Sequence, residues 1–147
     1  MNAELINQQD YELARTQLGA NFTRILGYFR EDGIKSVEQV EAAMRERNAA
    51  SLVRPAHTLK GESRQFGSRA LGDLAERIEM TARRCVEHRT GPEELAEDVA
   101  ALRACFTHTL EELERNDVGL GPVVALRRPA GGFGRKATVS LTGIGRG

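Results

Sequence analysis

The sequence predicts an all-α protein: an antiparallel up-down four-helix bundle with a short N-terminal helix and a flexible C-terminal tail. Three observations carry this. Apolar residues in the first 117 positions recur at spacings of three and four. Composition is charge-rich and aromatic-poor, 29% charged and 5% aromatic with no Trp, which suits helices better than a sandwich or barrel. Short breaks at Gly and Pro separate the periodic segments, so consecutive helices are antiparallel neighbours. A chain of 147 residues has room for one ordinary domain.

Taken in order, Asp10 is a candidate cap for a short helix through Tyr11, Ala14 and Leu18, with Gly19 as its stop. From Asn21 to about Arg47 the stripe is Phe22, Leu26, Phe29, Val37, Val40 and Met44, with Gly33 on the same face allowing close approach of a neighbour. A third helix, about Ser51 to Phe66, has the inner stripe Leu52, Ala56, Leu59, Ser63, Phe66. Pro55 places that helix's first turn between Leu52 and Pro55, or else kinks it. After a turn at Gly67 the fourth stripe is Leu71, Leu74, Ile78, Ala82, Cys85, ending before Thr90-Gly91-Pro92. The fifth is Leu95, Val99, Leu102, Phe106, Leu113. The bundle is expected over residues 1–117 and the tail over 118–147, where eight of thirty residues are Gly and two are Pro.

The net charge of zero hides an asymmetry. All 21 acidic residues lie at or before Asp117, whereas Arg127, Arg128, Arg135, Lys136 and Arg146 are the tail's five basic groups. Subtracting those five from 21 leaves 16 in the body, a net of −5 before residue 118. An acidic body argues against nucleic-acid binding. No apolar run reaches the roughly 18–20 residues a membrane helix needs, and the N-terminus lacks the basic and apolar regions of a signal peptide. Two cysteines make no disulfide framework, so a cytoplasmic setting is expected. Cys85-x-x-His88 and Cys105-x-x-His108 together have zinc-ligand chemistry. In an antiparallel hairpin turning near Gly91, however, they sit roughly 12 Å out of register, so no metal site is expected.

The outer face of the third helix reads Val53, Arg54, His57, Lys60, Gly61, Arg64. Neighbours three and four apart on a helix lie side by side, so His57 has Lys60 on one flank and the bare backbone of Gly61 on the other. Glycine inside a helix costs about 1 kcal/mol relative to alanine, which points to a contact needing that space. A neutral imidazole offers a nucleophilic nitrogen near neutral pH. A phosphoryl group placed on it would find its charge offset by Lys60, with Arg64 as a second cation. By spacing alone, however, His-x-x-Lys is a weak pattern and reads first as a surface histidine in a basic helical patch.

The segment Ala56-His57-Thr58-Leu59-Lys60-Gly61-Glu62-Ser63-Arg64-Gln65-Phe66-Gly67, followed by Leu71, Leu74-Ala75 and Arg77-Ile78-Glu79, resembles the histidine-containing phosphotransfer (HPt) domain. Phe29 and Glu31-Asp32 resemble that family's second helix, and the resemblance covers roughly residues 10–115. It departs at Glu62 and Arg64, positions usually small, and at Pro55. The resemblance implies that His57 is the phosphoacceptor, that Lys60 stabilises the phosphoryl group, and that Gly61 leaves room for a receiver domain. It places Glu79 near the histidine; Glu79, together with Arg54, Gly61 and Arg64 of the third helix, is expected to bind the partner. It implies a monomeric phosphocarrier without kinase activity or cofactor of its own, the Mg2+ being expected only in the partner receiver domain. Expected partners are response-regulator receiver domains and a hybrid or sensor histidine kinase, with no nucleic acid and no membrane. A non-transferring adaptor using the same face is the alternative.

Overall fold

The computed structural model describes residues 4–118; the expected tail, apart from Val118, lies outside them. Of these, residues 4–116 belong to one compact unit. The described residues comprise a short helix α1 (Gln8–Leu18) and four long ones, α2 (Phe22–Arg45), α3 (Ala49–Gln65), α4 (Arg69–His88) and α5 (Ala96–Val118). Single 3-10 turns at Gly19–Asn21 and Glu93–Leu95 precede α2 and α5, and no strand occurs among the described residues.

The helices run antiparallel, as their cross-links show. Arg30 pairs with Glu114 and Glu41 with Arg103 between α2 and α5, so the numbering ascends on one helix as it descends on the other. Arg77–Asp98 and Arg84–Glu94 do the same where α4 meets the start of α5. The apolar stripes all turn inward. Every residue expected on the inner faces of the third, fourth and fifth helices is buried, though Leu95 belongs to the 3-10 turn rather than to α5. Of the stripe expected on α2, Met44 alone remains partly accessible. Four phenylalanines and Tyr11 form a continuous row through the core, Tyr11–Phe22–Phe66–Phe29–Phe106, with ring centroids 5.3–5.6 Å apart.

α2 runs unbroken through Gly33, whose missing side chain lets α5 close in: a Cβ there would overlap the Phe106 ring. Gly67 has φ +74°, and a Cβ on it would stand 2.8 Å from the Tyr11 backbone nitrogen. It occupies the left-handed position of a Schellman motif, with Ser68 N–H donating to the Ser63 carbonyl and Gly67 N–H to that of Arg64. Two other helix ends close in the same way around arginines, Arg47 (φ 55°) and Arg89 (φ 58°).

Two local expectations are corrected. The cap of α1 is Asn7, whose side chain accepts from Asp10 N–H, so Asp10 lies inside the first turn rather than before it. Asn7 wins because its backbone also anchors α1, donating to the Gly67 carbonyl at 2.8 Å. Likewise α3 begins at Ala49, capped by Asn48 through Ser51 N–H, so Pro55 is interior and not in the first turn. The Ser51 carbonyl thus lacks its usual i+4 donor. Burial of the Pro55 ring offsets part of that loss.

Candidate functional site

The site lies where α3 and α4 face each other. His57 stands on the outer side of α3 with its side chain 60% exposed, and its Nδ1 is 3.0 Å from Glu79 Oε2 on α4. Lys60, one turn along α3, brings Nζ to 2.9 Å from Glu79 Oε1. Arg83, one turn along α4, reaches Glu79 Oε2 through Nε at 3.0 Å and Nη2 at 2.9 Å. One carboxylate therefore joins a histidine and two cations.

Glu79 is buried, its side chain only 2% exposed. Burial alone would push its carboxyl upward. The close ion pair with Lys60 and hydrogen bonds from Arg83 and His57 outweigh that and hold it at about 2. An ionised carboxylate only accepts, so Nδ1 of His57 must be the protonated nitrogen. That fixes the tautomer and leaves Nε2 as the ring nitrogen with the lone pair. The geometry resembles the way a buried carboxylate orients a histidine in hydrolytic triads.

The expected outer face divides. Arg54, His57, Gly61 and Arg64 are exposed, and nothing stands within 4 Å of a Cβ built on Gly61. No group of this unit fills that space among the described residues. Lys60, in contrast, is only 18% exposed, tucked between helices rather than facing solvent. Arg64 is turned away from the histidine: it pairs with Asp73 and Glu76 on α4 and lies over Gly72, where a Cβ would meet its Cγ at 2.9 Å. Glu79 sits beneath the histidine, not on a surface offered to a partner. Arg83 escaped the sequence reading altogether. Its signal was the i, i+4 spacing from Glu79, an ordinary helical ion pair until the fold sets His57 against the same carboxylate.

Glu62, the departure beside Gly61, is partly buried within reach of the charge of Asp32 on α2. Burial first, and then the Asp32 carboxylate, raise its carboxyl to about 7, and its Oε1 is buried with no hydrogen-bond partner among the described residues. Cys85 and Cys105 are free thiols, and no cluster of three or more His, Cys, Asp or Glu suited to a metal ion occurs among the described residues. No helix described is long and apolar enough to cross a membrane.

A helical bundle that presents an oriented, solvent-facing histidine beside a lysine and an open glycine is the architecture of a histidine phosphotransfer module. The Hpt domain model matches residues 24–116, more than half of the chain, and the protein belongs to that family. Its fold is similar to the crystal structure of histidine-containing phosphotransfer protein B (HptB) from Pseudomonas aeruginosa PAO1. The TM-score is 0.67 at 18% identity, over 78% of this chain and 96% of that one. No curated protein matches the sequence.

Proposed function

We propose that the protein is a phosphocarrier in a two-component phosphorelay, taking a phosphoryl group onto His57 from the phospho-aspartate of one receiver domain and giving it to another. The observation that carries this reading is the His57–Glu79 contact on an exposed ring: Nδ1 is held, so Nε2 is both nucleophilic and accessible. In the transfer, the Nε2 lone pair attacks phosphorus. The bond from phosphorus to the donor's carboxylate oxygen breaks with its electron pair, and the donor aspartate is regenerated.

The ring keeps its Nδ1 proton and so becomes cationic when phosphorylated, and Glu79 is placed to stabilise that charge. Lys60 offsets the phosphoryl oxygens. Gly61 admits the receiver's active-site loops, and the exposed Arg54 flanks the same approach. Mg2+ is expected to come with the receiver, so this chain supplies a nucleophile, an orienting carboxylate and cations, without kinase activity of its own. A hybrid or sensor histidine kinase would stand upstream of the relay.

Incubation with phosphorylated receiver domains tests this. We expect acid-labile, base-stable label on the wild-type chain and none on His57→Ala, with helical content unchanged because Lys60 and Arg83 still pair the buried Glu79 when the imidazole is gone. Label on His57→Ala refutes the assignment. Receiver binding without label on the wild type means that the face serves a non-transferring adaptor.

A further inference from the structure

Of the two cations on Glu79, only Lys60 belongs to the helix that carries the histidine. Arg83 comes from α4 and makes two close contacts to the oxygen that also accepts from His57 Nδ1. We propose that Arg83 is a positioning residue of the phosphotransfer site, holding the Glu79 carboxylate and cancelling its charge so that Lys60 keeps its own for the phosphoryl group. This rests on the reading of His57 as phosphoacceptor.

Charge balance at the site favours this role. At rest, with a neutral His57, the site holds one negative group, Glu79, and two positive ones, Lys60 and Arg83, a surplus of one positive charge. Transfer brings in a phosphoryl unit whose net charge is one negative. The new Nε2–P bond leaves the ring cationic, with its Nδ1 proton retained, and the phosphoryl oxygens carry up to about two negative charges. The phosphorylated site is then neutral. Without Arg83 the resting site is neutral and the phosphorylated one carries an uncompensated negative charge beside a buried carboxylate. Lys60 would have to serve both anions at once. Removing the charges of Arg83 and Glu79 together restores the original balance, since Lys60 alone remains.

Geometry adds to the charge. Glu79 Oε2 is held from two directions, by His57 on α3 and Arg83 on α4, while Oε1 faces Lys60. Arg83 thereby keeps the carboxylate from rotating wholly toward the lysine, and so keeps the His57 tautomer that exposes Nε2. Arg83 itself is 52% exposed, so solvent screens its effect, and its removal leaves no buried void.

The experiment uses the full chain and phosphoramidate as a small phosphodonor, which separates the chemistry from receiver docking; phosphohistidine is followed by 31P NMR. Arg83→Ala is expected to slow labelling about fivefold, the scale of a partly screened ion pair. Arg83→Lys, which keeps the charge, is expected to recover most of the rate. In a Glu79→Gln background, where the amide oxygen still accepts the Nδ1 proton, Arg83→Ala should change little. An equal loss in both backgrounds, a lysine variant as slow as alanine, or a Glu79→Gln protein that takes no label overturns the inference. If Arg83→Ala labels at the wild-type rate while His57→Ala is inert, the Arg83 role alone fails. If His57→Ala takes label as the wild type does, the phosphoacceptor reading itself fails.

Discussion

Glu62→Gln should stabilise the protein at neutral and alkaline pH and do little in acid. The carboxyl of Glu62 moves from 4.5 to about 7 on folding, by burial and then by the nearby Asp32 carboxylate. A raised carboxyl means that the folded state binds the proton more tightly than the unfolded chain. Stability from this group is therefore fully present below about pH 4.5 and is lost as pH rises through about 7. At about 1.4 kcal/mol per pH unit the loss would approach roughly 3 kcal/mol. Partial exposure of Glu62 reduces that through solvent screening to about 2 kcal/mol. Glutamine cannot ionise, so the variant escapes the loss, whatever its amide costs in the same pocket. The assay is urea unfolding of both proteins at pH 4 and pH 8, comparing midpoints and slopes. The variant's advantage should grow by about 2 kcal/mol between those two conditions. In thermal melts at pH 8 this corresponds to a gain of roughly 5–10 °C relative to the difference at pH 4. An advantage that is the same at both pH values, or one that shrinks as pH rises, refutes the electrostatic account of Glu62.

Three further outcomes follow from the packing. Gly61→Gln should block transfer from a receiver domain, because the space beyond Gly61 is open, while raising helix stability by up to about 1 kcal/mol; transfer at the parental rate would show that the glycine serves something else. Gly33→Ala should lower stability by about 1–2 kcal/mol in urea unfolding, since overlap with the Phe106 ring outweighs the gain in helix propensity; a stabilised variant would mean that Phe106 yields easily. Arg89→Gly should raise stability by about 1 kcal/mol, because Arg89 ends α4 with φ 58°, a conformation that costs residues with a Cβ; an unchanged melting temperature would contradict this.

The α3 stripe alone, Leu52 through Phe66, dictates which face of that helix is buried, and the same holds for α4 and the buried positions of α5. Periodicity is a local property, carried by residues three and four apart, so it survives without knowledge of the fold. The histidine motif is local in the same sense: His57, Lys60 and Gly61 lie within one turn or so of α3, and their family likeness is legible from one segment. Even there, tertiary competition altered details. Asn7 displaced Asp10 as the α1 cap because it also binds the α3–α4 turn. Asn48 drew α3 back far enough to enclose Pro55.

The workings of the site needed the second helix. Whether Glu79 lies level with His57 depends on the axial register of α4 against α3, which the Schellman turn at Gly67 and the packing of Phe66 and Leu71 decide together. That register buries Glu79 and draws Lys60 inward to it. It gives Arg64 to Asp73 and Glu76 instead of to the histidine, and turns Arg83 from a surface charge into part of the site. A sequence fixes which groups a helix carries; only the packing of two helices fixes which charges meet across them, because those contacts depend on ångström-scale offsets that no single periodic stripe encodes.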